Sequence, residues 1–137
     1  MQELNRAIFE ENLSEINRIL NAGVDIDAVD STGKTALMQA VEQENIRFVE
    51  LLIHHGASVN CPGNDGWAPI HLAVDVSIDG TVQSNGVPHS APTSIIGYLI
   101  GKGADLHQET DSGETAYTIA RKYENKKITE YLNSAKP

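Results

Sequence analysis

The phrase NAGVDID at residues 21–27 returns as HHGASVN at 54–60 and as GKGADLH at 101–107. Its first two glycines, Gly23 and Gly56, are 33 residues apart, whereas Gly56 and Gly103 are 47 apart. A second phrase keeps step: DSTGKTALMQAV at 30–41, GNDGWAPIHLAV at 63–74 and TDSGETAYTIAR at 110–121. Gly33 and Gly66 are again separated by 33, and Gly66 and Gly113 by 47. Two independent markers agree on the period and on a 14-residue excess, so a single insertion sits inside a single repeat. A period of this length restricts the fold strongly, because each unit is one supersecondary element that has to stack on its neighbours.

Each unit has a physical logic. Asp or Asn ahead of a glycine makes a tight turn, since glycine accepts positive φ without steric cost. A small polar residue then caps a short helix, as in TALMQAVEQE, APIHLAVDV and TAYTIARKYE. A second helix follows with apolar residues at helical spacing: Leu13, Ile16, Ile19 and Leu20 in the first unit, and Ile46, Val49, Leu52 and Ile53 in the second. Gly23, Gly56 and Gly103 close these helices, where a left-handed residue is favoured. Neither helix of a unit can bury its apolar face alone, so the units are expected to form a short solenoid with one continuous core.

The stretch TGKTALMQAVEQENIRFVELLIHHGASVN resembles the ankyrin repeat almost position by position, and DGWAPIHLAVD and SGETAYTIARKYENKKITEYL continue the pattern. The resemblance covers the chain except residues 77–92. It implies an all-α ankyrin-repeat solenoid of helix-turn-helix units joined by β-turn or hairpin loops, with a loop insertion in the third repeat. The units run over about 1–29 (an N-terminal cap), 30–62, 63–109 with the insertion at 77–92, and 110–137 (a C-terminal cap). The family's Thr-Pro-Leu-His motif appears only in degenerate form, as Thr35-Ala36-Leu37-Met38, Ala68-Pro69-Ile70-His71 and Thr115-Ala116-Tyr117-Thr118. The hydrogen bonds that Thr and His make between repeats are therefore only partly available. Within the insertion, DGTVQSNG has the turn chemistry of a short hairpin and VPHSAP that of an extended segment.

Composition narrows what such a domain does. With 137 residues, 40% of them hydrophobic and 21% charged, the chain fits one folded domain. Aromatics make up only 5%, so Leu, Ile, Val and Ala must build the core. The N-terminal residues carry no basic patch ahead of an apolar run, and no 18-residue apolar segment exists, so neither a secretory leader nor a membrane span is expected. One cysteine, Cys61, rules out an intrachain disulfide or Cys-based zinc site, and a reducing, cytoplasmic setting is the natural expectation. The net charge of −9 falls entirely on residues 1–100, with 13 acids against 4 bases. That field repels nucleic acid and suits a protein partner with a basic surface.

No catalytic constellation emerges. His54 and His55 are adjacent and diverge by about 100° on a helix, so they cannot chelate one metal together. His71 occupies the family's structural histidine position. His89 and His107 have no partner at metal-ligand spacing. Gly33-Lys34-Thr35 echoes a phosphate-binding loop, but Ala28 stands where its first glycine is required. The carboxylate pairs Asp25/Asp27 and Glu42/Glu44 are expected to be solvated, and Cys61 to be a bystander. The sequence points to no enzyme, no cofactor and no metal.

What the resemblance implies instead is a protein-binding face formed by the turn tips and first helices. Carried over by position, it comprises Phe9 and Glu10 in repeat one, and Ser31, Thr32, Lys34, Glu42 and Gln43 in repeat two. Repeat three contributes Asn64, Asp65, Trp67, Asp75 and Val76, and repeat four Asp111, Ser112, Glu114, Lys122 and Tyr123. Asp79 and His89 of the insertion adjoin it as a possible recognition arm. Trp67, the only tryptophan, is the sharpest candidate, because large exposed aromatics concentrate binding energy. The expectation is a monomer that binds or inhibits another protein stoichiometrically. Its small size and acidity resemble bacterial ankyrin proteins that neutralise a cognate toxin or effector. The alternative is an adaptor, scaffold or regulatory subunit that tethers a partner without inhibiting it.

Overall fold

The computed structural model describes residues 3–75, 91–122 and 132, and among these the chain is helical and turn with no strand. Helix pairs follow one another as the period requires: α1 (Glu3–Phe9) with α2 (Leu13–Asn21), and α3 (Ala36–Glu42) with α4 (Ile46–His54). In the third repeat α5 covers residues 69–75 and α6 Ala91–Gly101; α7 (Ala116–Lys122) opens the fourth, where Leu132 is again helical. First helices stack on first helices, α1 on α3, while α4 packs on α6 in the second layer. The insertion from 77 to 90 lies outside the described residues, as do Val76, Asp79, His89 and Tyr123. Ala91 and Pro92, assigned above to the insertion, belong to the first turn of α6. A proline is tolerated there because that N–H has no intrahelical acceptor.

One core runs through all four units. Ile8 and Ile16, Leu37 and Leu52, Ile70 and Leu99, and Ile119 and Leu132 are each at most 1% exposed, two from every repeat. The helical spacing picks out Ile16, Ile19, Val49 and Leu52 as core, while Leu20, Ile46 and Ile53 pack at its margin. Leu13 departs from the expectation and is 52% exposed. It is the first residue of α2, directly after the Asn12 cap. Asn12 and Asn45 cap α2 and α4 by accepting from Glu15 N and Phe48 N, both at 3.2 Å. The residues before them, Glu11 and Glu44, take a left-handed φ of 55°, which reverses the chain between the helices of a unit. Gly23, Gly56 and Gly103 have φ of 81°, 100° and 98°, as expected after a second helix.

Polar rungs tie successive repeats. Asp27, read above as solvated, accepts from Ser58 N at 2.9 Å, and Asn60 does the same for Asp105 N at 2.8 Å. At the degenerate histidine position, Asn5 of repeat one is fully buried and donates to Asp30 Oδ2 at 2.9 Å. Met38 makes no such bond, and His71 donates to the Gln108 carbonyl at 2.8 Å. Thr118 Oγ1 accepts from Thr115 N at 2.7 Å, taking the local part of the histidine's role.

Asp30 is the most heavily bonded of these groups. Burial works against its charge, but hydrogen bonds from the Thr32 hydroxyl, the Lys34 and Thr32 amides and Asn5 hold its carboxyl down at about 2. A carboxylate depressed in the folded state stabilises above its ordinary pKa of about 3.9 and loses that contribution as pH falls through the folded value. Between pH 4 and 2 the protein should therefore lose on the order of 1–2 kcal/mol through Asp30. Urea denaturation across that range should show a shallower fall in Asp30→Asn; an unchanged slope would contradict this account.

The turns of repeats two and three touch closely. A Cβ on Gly63 would lie 2.2 Å from the Gly33 carbonyl oxygen and 3.0 Å from Met38 Sδ. Gly63→Ala is thus expected to force the turns apart at a cost of roughly 1–3 kcal/mol. Gly101→Ala, which meets nothing within 4 Å, should be neutral or mildly stabilising by comparison. Equal denaturation midpoints for the two variants would contradict the close approach.

Candidate protein-binding face

Repeat geometry places the turn tips and the C-terminal ends of the first helices in two parallel stripes. Thirty-three residues separate Phe9 from Glu42 and Glu42 from Asp75, and 47 separate Asp75 from Lys122. The neighbouring stripe consists of Lys34, Trp67 and Glu114 at the same intervals. Side chains at matched positions of the two stripes meet. Lys34 forms an ion pair with Glu42, and Lys122 lies 3.9 Å from Glu114. The sign of the pair is reversed between repeats two and four, and repeat three sets an indole at the corresponding position. Glu42 is therefore paired with Lys34 rather than simply solvated.

Between the second and third turns lies an open cleft of about 310 Å³. Five residues assigned to the face by sequence, Thr32, Lys34, Asn64, Asp65 and Trp67, come together here, with Met38 and Leu72 as apolar lining. Trp67 is half-buried: it packs on the core and meets the His71 ring edge-to-face at 5.9 Å and 71°. Below it, His71 is fully buried; Ala68 N–H donates to its Nδ1 at 2.9 Å while Nε2 reaches Gln108. The indole is thus fixed from beneath with one surface left toward the cleft.

The third turn differs from its neighbours. In repeats two and four, Gly33 N–H donates to the Asp30 carbonyl and Gly113 N–H to the Thr110 carbonyl, both at 2.9 Å. Residues Asn64–Gly66 form a 3₁₀ turn in which both Asp65 (φ 65°) and Gly66 (φ 72°) are left-handed, whereas in the other two turns only the glycine is. A left-handed non-glycine residue costs about 1–2 kcal/mol, least for Asp and Asn. Asp111 N–H bonds the Asp65 carbonyl at 2.9 Å, whereas the matching amide of Asn64 bonds Gly33. The acceptor offered to the following turn is thus one residue earlier in repeat three, while the closing bond from Gly63 N–H to the Trp67 carbonyl keeps the register of the other two turns, and the exposed Asp65 lines the cleft.

The remaining sequence candidates are distributed along the same face. Phe9, 61% exposed, is its largest open apolar group in repeat one, and Glu10 is exposed beside it. Ser31, Asp111 and Ser112 are exposed at turn tips, with Glu114 and Asp75 half-buried behind them. Gln43 donates to the Ile8 carbonyl at 3.1 Å and accepts from Gln39 at 2.7 Å, so it bridges repeats one and two. The cleft roles of Met38 and Leu72 and the left-handed Asp65 were not found by sequence reasoning. Met38 read there only as the degenerate histidine position, Leu72 was not singled out, and a shift of one acceptor leaves no trace in spacing.

Among the described residues no group of three or more His, Cys, Asp and Glu is placed to hold a metal ion. Burial, then Asp27 and Asp25, pushes the half-buried Cys61 thiol up, away from thiolate chemistry. No described helix is long and apolar enough to cross a membrane.

Comparison with known proteins agrees with this architecture. The family pattern described as ankyrin repeats in three copies matches residues 4–83. Palmitoyltransferase AKR1 of Saccharomyces cerevisiae is 36% identical over 98 residues, 72% of this chain but 11% of the transferase. Protein phosphatase 1 regulatory subunit 27 of Mus musculus is 32% identical over 108 residues, 78% of this chain and 61% of that protein. The chain thus spans from about a tenth to three-fifths of these relatives. The crystal structure of the ankyrin repeat domain of Bcl-3 superimposes with a TM-score of 0.77 at 28% identity, covering 97% of this chain and 51% of that one.

Proposed function

The chain belongs to the ankyrin-repeat family, a protein-interaction fold, and we propose that it acts without catalysis by binding one protein partner stoichiometrically along the turn tips and first helices. The observation that carries this reading is the cleft between the second and third turns, where a supported indole, an outward carboxylate and two apolar side chains converge. The excess of nine acids over bases within residues 1–100 favours a partner with a basic surface. Binding that blocks the partner's activity, as an immunity protein blocks a toxin, is the first form of the proposal. Tethering without inhibition is the second, favoured by the likeness to a phosphatase regulatory subunit.

The two forms separate in one set of measurements. A partner purified with the protein from its native source is assayed for 1:1 stoichiometry, salt dependence and loss of its own activity. Inhibition at one equivalent supports the first form; a tight complex with undiminished activity supports the second. A partner that binds equally well to Trp67→Ala and Phe9→Ser overturns the face itself.

A further inference from the structure

Resting on that reading of the face, we infer that the cleft at Trp67 is an anchor for an arginine side chain presented by an extended segment of the partner, stacked on the indole with its guanidinium against the Asp65 carboxylate. The register of the repeats carries the argument. Positions 34 and 42 hold a cation and an anion, and positions 114 and 122 hold an anion and a cation, so in repeats two and four this place accommodates a long charged side chain beside its counter-charge. In repeat three the first of these positions is Trp67 and the second Asp75. The chain there presents an aromatic side chain where repeats two and four carry a charge.

Three further features select a cation, and among cations a guanidinium. Asp65, left-handed in the third turn, lines the cleft together with the indole, so a carboxylate borders the site on the turn side. The cleft's own cation, Lys34, is directed to Glu42. The indole's aromatic neighbour, His71, is held neutral by burial and adds no positive charge beneath the ring. A delocalised, weakly hydrated, planar cation stacks on indole and forks onto a carboxylate together; a compact ammonium manages one of these contacts at a time. A volume of about 310 Å³ also suits one long side chain rather than a whole helix.

The test titrates the full chain with hexa-arginine, hexa-lysine and hexa-citrulline peptides, following Trp67 emission and the anisotropy of a labelled peptide. Hexa-arginine is expected to bind at least fivefold more tightly than hexa-lysine, with a shift in Trp67 emission, and hexa-citrulline to bind weakest. Trp67→Leu should abolish the arginine-over-lysine preference, Trp67→Phe should keep part of it, and Asp65→Asn should weaken hexa-arginine about threefold. Glu50→Gln, on the outer side of α4, should change nothing. Equal affinity for the arginine and lysine peptides, or a preference that survives Trp67→Leu, overturns the inference and leaves only diffuse attraction to an acidic surface. The underlying reading fails differently: a partner retained on the outer faces of the second helices overturns the binding face even if hexa-arginine prefers Trp67.

Discussion

Replacing His71 with leucine is expected to lower stability by about 2–4 kcal/mol, with the loss concentrated in repeat three and where its last loop leads into repeat four. The ring is fully buried and both nitrogens are used, one accepting from Ala68 N–H and the other donating to the Gln108 carbonyl. Leucine fills most of the space but leaves both backbone groups unpaired. Because a solenoid is stabilised by nearest-neighbour interfaces, the damage should be local. Native-state hydrogen exchange should show the amides of α7 opening at lower free energy while those of α2 and α3 keep theirs. A uniform loss across all repeats, or none, would contradict the role given to His71.

The same residue adds a pH dependence of definite sign. Burial lowers the His71 pKa against the weaker upward pull of the Gln108 carbonyl, Glu114 and Asp105. Protonating Nδ1 would also set two donors face to face at Ala68. A histidine that is harder to protonate when folded stabilises above its ordinary pKa of about 6.5 and loses that contribution as pH falls below it. Stability should therefore decline as pH falls below that value, and the decline should be smaller in His71→Leu.

The second large effect concerns binding. Trp67→Ala is expected to weaken the partner complex by about 2 kcal/mol, roughly 30-fold, with the change mainly in dissociation rate. Because the ring also packs on the core, the variant is compared with Leu72→Ala, which removes apolar lining and keeps the indole. A 30-fold loss in the first and a lesser one in the second fits an aromatic anchor. Equal losses that track stability would mean that Trp67 only supports the turn.

Much of the fold was legible because its determinants are periodic. Glycines at Gly23, Gly56 and Gly103 mark left-handed residues, and the alternation of apolar positions marks Ile16, Val49 and Leu52 as core; neither depends on distant contacts. Asn5 was missed because its role becomes visible only after alignment with Met38, His71 and Thr118 in a stacked structure. Asp27 reads in sequence as a rim carboxylate, yet its acceptor duty lies 31 residues away at Ser58. The cleft was legible in part of its lining and not in its shape. Position within the repeat gathers Thr32, Lys34, Asn64, Asp65 and Trp67. The close approach of Gly63 to Gly33 and the bond from Asp111 N–H to the Asp65 carbonyl are contacts between units that spacing does not encode.

The most direct test of the binding face is hydrogen–deuterium exchange of the protein alone and in complex with its purified partner. Protection confined to the turns around residues 31–34 and 64–67 and to the adjoining ends of α1 and α3 is the predicted result. Protection along the outer face of α4, at Arg47, Glu50 and His54, with those turns unchanged, would contradict it.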